Sequence, residues 1–71
     1  MMLIMNGQER EFDTLMPGAR LADLVAVLGL KGDRVAIEHN GTIVSRAEWE
    51  AAVLQQADKL EIVHFVGGGI R

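Results

Sequence analysis

Val35-Ala36-Ile37-Glu38-His39-Asn40-Gly41-Thr42-Ile43-Val44-Ser45-Arg46-Ala47-Glu48-Trp49 holds two extended runs joined by Asn-Gly, then a segment too short for a full helix. Asn-Gly is the preferred pair of a two-residue type I′ hairpin, because both central residues need positive φ. The hairpin puts Ile37 opposite Val44. Ser45 and Glu48 fall at the N-cap and N3 positions of a capping box, with Val44 and Trp49 at the N′ and N4 positions of a hydrophobic staple. A short helical turn is expected after Val44, anchored by Trp49, the single tryptophan.

Upstream the same dipeptide recurs. Asn6-Gly7 separates two extended runs, giving a hairpin in which Leu3 pairs with Arg10 and Met1 with Phe12. The period of two puts Leu3, Met5 and Phe12 on one face. Arg10 shares that face, with its aliphatic stem expected at the sheet margin and its guanidinium in water. Pro17-Gly18 breaks the chain, and Leu21, Leu24, Val25 and Leu28 then recur at i, i+3, i+4 and i+7. That is the apolar stripe of one helix, ending where Gly29 can turn left-handed. Asp23 lies near its first turn, where it complements the helix dipole. Residues 51–56 carry no clear period. After Asp58, Leu60 and Ile62 point one way and Glu61, Val63 and Phe65 the other.

The order is hairpin, helix, hairpin, short turn, final strand. One helix laid across a mixed sheet of four or five strands is the economical packing, with the helical crossover expected to bring the third extended element parallel to a strand of the first hairpin. A ferredoxin-like arrangement needs a second full helix, which residues 45–49 cannot supply. The expected fold class is therefore α+β, a β-grasp layout over residues 1–66. Residues 67–71 are expected to form a flexible tail, because Gly67-Gly68-Gly69 lose the most backbone freedom on ordering. At 71 residues and 7.8 kDa the chain is one domain near the size where a single core barely offsets chain entropy.

Composition excludes several functions. The absence of cysteine removes disulfides, thiolate nucleophiles and cysteine-based metal sites. A net charge of -3 without a basic stripe gives no electrostatic support for nucleic acid or an anionic membrane as partner. Met1-Met2-Leu3-Ile4-Met5 is too short for a signal sequence or a membrane span, so a soluble, cytoplasmic protein is expected. His39 and His64 are the only histidines and the acidic residues are scattered, so no catalytic constellation or metal site is expected. The glycine run has no helix behind it and makes no phosphate loop. What it can do is thread a narrow active site of another protein and present a carboxylate there. Val63 and Phe65, apolar and outward beside this tail, are the expected partner-docking residues.

A resemblance now becomes specific. The run Val35-Ala36-Ile37-Glu38-His39-Asn40-Gly41, Ser45-Arg46 with Trp49, and Asp58 before Leu60-Glu61-Ile62-Val63-His64-Phe65-Val66-Gly67-Gly68-Gly69 resembles the ThiS family of sulfur carrier proteins over nearly the whole chain. The resemblance implies a ubiquitin-like β-grasp fold and a protein that is a substrate in thiamin biosynthesis, not an enzyme. Gly69 would be the site of adenylation and thiocarboxylate formation, with Gly68 completing the terminal pair and Gly67 extending the approach. The implied partners are a ThiF-like adenylating enzyme that uses ATP and Mg²⁺, a sulfur-donating enzyme and a ThiG-like thiazole synthase; the carrier itself holds no cofactor.

Two features depart from the family pattern. Ile70 and Arg71 tie the Gly69 carbonyl into a peptide bond, which implies a C-terminal processing peptidase of the kind that trims related carriers, some of them serving amino-acid synthesis. Ala57 stands before Asp58 where the family commonly has glycine, and is expected to be a turn variation without functional weight. The alternatives are a sulfur carrier for amino-acid biosynthesis, a ubiquitin-like modifier joined through Gly69, or a docking module with an idle tail.

Overall fold

The computed structural model describes residues 1–65. Strands β1 (Met2–Met5) and β2 (Gln8–Glu11) precede helix α1 (Leu21–Leu28), which is followed by β3 (Val35–His39), β4 (Thr42–Val44) and β5 (Lys59–His64). Two 3₁₀ turns, Gly32–Arg34 before β3 and Arg46–Glu48 after β4, flank the second hairpin. The five strands form a single mixed sheet in the order β2-β1-β5-β3-β4, which is the β-grasp arrangement.

Both Asn-Gly pairs make the expected turns, with Asn6, Gly7, Asn40 and Gly41 all at positive φ. The registers Leu3↔Arg10 and Ile37↔Val44 are those the sequence predicts. Arg10 holds its guanidinium carbon 5.1 Å from the Phe12 ring centroid, so part of the cation rests on an aromatic face beside solvent.

The crossover differs from expectation. The parallel neighbour of β1 is β5, through Ile4↔Lys59 and Met5↔Leu60, and not the third extended element. β3 instead pairs antiparallel with β5 from Val35↔His64 to His39↔Leu60. The chain leaving α1 skips one position, and the last strand fills the gap between the two hairpins. That placement gives β5 a ladder on each side while Leu60 and Ile62 face the core.

Leu21, Leu24 and Val25 bury the helix stripe against Leu3, Met5, Ile37, Leu60 and Ile62 on one sheet face. Gly29 ends the helix at φ 68, the left-handed conformation that costs glycine least. Asp23 does more than complement the dipole: its Oδ2 accepts the Arg20 N–H at 2.8 Å, reaching back from the first turn to the residue that starts the helix. Leu15 and Leu54 complete the core from segments without regular structure. Leu54 is held there because the backbone of residues 52–54 bonds to that of residues 19–21, through Leu21 N–H to Ala52 O and Leu54 N–H to Ala19 O, both 2.8 Å.

The expected capping box is not formed. Ser45 Oγ lies 3.1 Å from Glu48 Oε1, while the Glu48 N–H donates to the carbonyl of Ser45 at 2.9 Å. In a 3₁₀ turn the third residue's N–H is already used by the backbone, which removes the N3 donor that the capping box requires. The anchor holds nonetheless: Trp49 is buried and its indole N–H donates to Val44 O at 3.1 Å.

Candidate functional site

Strand β5 leads toward the glycine run, and the sheet is built around it. On its core side Leu60 and Ile62 are buried; on its outer side Glu61, Val63 and, just beyond the strand, Phe65 are exposed. Phe65 stays tied to the domain by its N–H, which donates to Arg34 O at 2.7 Å. The register puts Val63 opposite Ala36 and Glu61 opposite Glu38, while Ile43 of β4 lies opposite Glu38 on the other flank. Ile43, Val63 and Phe65 are 70%, 56% and 44% exposed, so three large apolar side chains stand on one outer face, Ile43 level with Glu61 and the other two further along the chain. Ala36, Glu38, Ile43, Glu61 and Val63 line a shallow depression of about 220 Å³ there. Sequence alternation finds Val63 and Phe65. Ile43 is outward too, as the pairing of Ile37 with Val44 requires.

Gly67, Gly68 and Gly69, expected to carry the tail and its reactive carboxyl, lie outside the described residues with Ile70 and Arg71, as does the expected flexible tail over residues 67–71.

Both turn asparagines grip β5. β1 ends at Met5, and the Asn6 side chain continues its ladder: Oδ1 accepts the Ile62 N–H at 2.7 Å and Nδ2 donates to Ile62 O at 3.3 Å. This amide stands in for one more peptide unit of β1. On the other flank Asn40 Oδ1 accepts the Lys59 N–H at 2.8 Å, and its Nδ2 donates to Asp58 Oδ1 at 3.2 Å. The strand that leads to the glycines is therefore fixed from both sides by side chains as well as by backbone.

Asp58 closes the start of β5. Its Oδ2 accepts the Gln55 N–H at 2.9 Å and sits 2.6 Å from His39 Nε2, which carries the proton when it faces an ionised carboxylate. Burial opposes the charge on Asp58, but hydrogen bonds from His39, Gln55 and Asn40 outweigh it and hold the carboxyl below its usual range. Read from sequence, His39 has no chemical role. The structure gives it a structural one, locking the turn into β5 across 19 positions of chain.

A cavity of about 590 Å³ lies where β1 begins, between Met1, Leu15, Met16 and Val53. It is at the opposite end of the β1–β5 axis from Phe65, because Lys59 is level with Ile4 and β5 runs on away from Met1. No group of three or more metal-ligating side chains converges among the described residues. No helix there is long and apolar enough to cross a membrane.

The chain matches the ThiS family model over residues 3–69, a span that takes in the sheet and ends on the third glycine. This chain belongs to the ThiS family. It is 36% identical to the sulfur carrier protein ThiS of Bacillus subtilis over 70 residues, covering 96% of this chain and all of that protein. It is 39% identical over 69 residues to the thiazole synthase of Magnetococcus marinus, where the match covers 97% of this chain but only 20% of the synthase. The chain thus spans about a fifth of the length of that relative. Among solved structures, the crystal structure of a thiamine biosynthesis protein, ThiS, from Geobacter metallireducens superposes with a TM-score of 0.81 at 27% identity, covering 97% of this chain and all of that one. The ubiquitin-like β-grasp expected from element order is thus the fold of this ThiS family member.

Proposed function

We propose that this ThiS family chain is the sulfur carrier of thiazole formation in thiamin biosynthesis, acting as protein substrate and sulfur donor and not as catalyst. The observation that carries this is the match through Gly69 combined with full-length similarity to a sulfur carrier protein. The sheet supports it because β5, the last strand before the glycine run in sequence, carries exposed Val63 on its outer face, with exposed Phe65 next in the chain after His64. The thiazole synthases among its relatives favour thiazole over amino-acid synthesis as the destination of the sulfur.

A carboxylate resists substitution because oxide is a poor leaving group. Attack of the Gly69 carboxylate on the α-phosphorus of ATP, with Mg²⁺ on the partner enzyme, expels pyrophosphate and gives an acyl-adenylate. A sulfide-level nucleophile from the sulfur-donating enzyme then adds at the carbonyl and expels AMP, leaving a thiocarboxylate. That thiocarboxylate is the nucleophile passed to a ThiG-like thiazole synthase. The adenylating partner is ThiF-like, and the reaction belongs in the cytoplasm, where ATP is supplied.

In the sequence as it stands, Gly69 is bonded to Ile70 and has no free carboxylate. A processing peptidase must therefore cut after Gly69. Arg71 would also bring a long cationic side chain into a slot suited to glycine. The test compares chains ending at Gly69, at Gly68 and at Arg71, each with the adenylating enzyme of the same organism, ATP, Mg²⁺ and a sulfur source. Intact mass should show oxygen-to-sulfur exchange only for the chain ending at Gly69. Thiocarboxylation of the Arg71 form with both residues still attached would place the reactive group elsewhere.

A further inference from the structure

Glu38 and Glu61 are Cα partners across β3 and β5, and both project from the outer face. Side chains so placed have Cβ atoms about 5 Å apart, and like charges there are destabilising. Among the described residues neither carboxylate has an ion-pair partner, although Lys59 stands two positions along the same face from Glu61. The pair lies between Ile43, on the far side of Glu38, and Val63, one step along β5. Two unneutralised carboxylates at the edge of an exposed apolar patch cost stability and offer the fold no contact in return.

Resting on the carrier function proposed above, we infer that Glu38 and Glu61 form a receptor for one arginine of the adenylating enzyme, with Ile43, Val63 and Phe65 as its apolar rim. Charge complementarity specifies the occupant. A planar guanidinium presents several N–H donors in a fixed fork and can bridge two carboxylates, which a point-charge ammonium does less well. Covering the patch removes water from around the pair and strengthens the attraction, while the carboxylates repel partners with acidic surfaces. β5 carries both Glu61 and the approach to the glycines, so docking here sets the direction in which the chain enters the adenylating site.

The full 71-residue chain is titrated by calorimetry into the adenylating enzyme of the same organism at low and at moderate salt. Paired substitution Glu38→Gln with Glu61→Gln should raise Kd about tenfold and flatten its salt dependence. Glu9→Gln, on the hairpin at the other side of the sheet, should leave both within about twofold. The paired variant should melt at the same temperature as the parent or higher, because a repulsion has been removed. Parent-like Kd and salt dependence in the paired variant would overturn the receptor, as would a parent chain that does not bind. Normal docking by a parent whose Gly69-terminated form is never adenylated would overturn the carrier function and leave the receptor standing.

Discussion

The two Asn-Gly hairpins share a turn and differ in everything their outer strands present. In the first, β2 is Gln8-Glu9-Arg10-Glu11, exposed throughout and charged at three of four positions. In the second, β4 is Thr42-Ile43-Val44, with no charge and an isoleucine 70% exposed. Charged residues along an edge strand discourage pairing with another chain, so β2 is a guarded edge. β4 lacks that guard and forms the opposite edge of the sheet from β2, two places from β5 on the flank that carries the apolar patch. The two edges of one sheet thus present opposite chemistry, charge along β2 and an exposed isoleucine on β4.

That division makes its largest prediction at β5. Val63→Asp or Phe65→Asp puts a charge into the apolar patch and should cut adenylation of the Gly69-terminated chain at least roughly tenfold, the scale of a central interface residue. The melting transition should stay within a few degrees, because both side chains are exposed. An equivalent change on the guarded hairpin, Glu9→Lys, should leave adenylation nearly untouched. If Glu9→Lys is as harmful as Val63→Asp, the contact surface is not confined to the β4 side.

Stability probes the same pair of hairpins through their turns. Asn6→Gly and Asn40→Gly each keep a residue that accepts positive φ while removing the amide that grips β5. Asn6 bonds both backbone groups of Ile62 in a partly buried setting, so its loss should cost about 2 kcal/mol in chemical denaturation. Asn40 acts at an exposed site, and its loss should cost about 1 kcal/mol. The reverse ranking would mean that the first hairpin is held by its strands and not by its turn.

Acid should loosen the second hairpin before the first. Asp58 is held below its ordinary pKa of 3.8 in the folded protein, so its stabilisation is complete above that value and fades as pH falls through the depressed folded pKa. Asp58→Asn should remove this part of the acid sensitivity below about pH 4 and cost about 1 kcal/mol near neutrality, seen as a melting curve flatter with pH. An unchanged pH dependence in this variant would show that other carboxylates carry the acid sensitivity.

What was legible in the sequence was local. Asn6-Gly7 and Asn40-Gly41 announce their hairpins because the turn's chemistry is contained in two residues, and the stripe from Leu21 to Leu28 announces a helix because its period is written in one turn after another. The expected parallel pairing of the third extended element with the first hairpin fails because nothing in β1 or β3 says which neighbour it prefers; that choice is made by burial across the whole sheet. Leu15 and Leu54 lie in segments without a period, so their place in the core depends on contacts with α1 that no window of sequence contains. His39 meets Asp58 only after the chain has crossed Trp49 and the 52–54 strap. Of the candidate site, Val63 and Phe65 follow from strand alternation, whereas the opposition of Glu38 and Glu61 required the register.

The smallest effect tests the third turn around β5, the one without an asparagine. Residues 55–58 close through Asp58 N–H to Gln55 O at 3.0 Å, with Ala57 at φ 69, a left-handed conformation at the third position of the turn. Type II turns reserve that position for glycine or asparagine, because a Cβ there crowds the backbone. An alanine held there is a strain at the entrance to β5, which no reading of residue 57 in isolation reveals. Ala57→Gly should relieve that strain at some cost in unfolded-chain entropy, for a net gain of about 1 kcal/mol. The Ala57 N–H to Met2 O bond at 2.7 Å involves backbone only and survives the change. A chemical denaturation midpoint that moves upward with an unchanged slope would place the strain in the native turn. A midpoint that falls would mean that the alanine is held without strain and that the entropy glycine adds to the unfolded chain dominates.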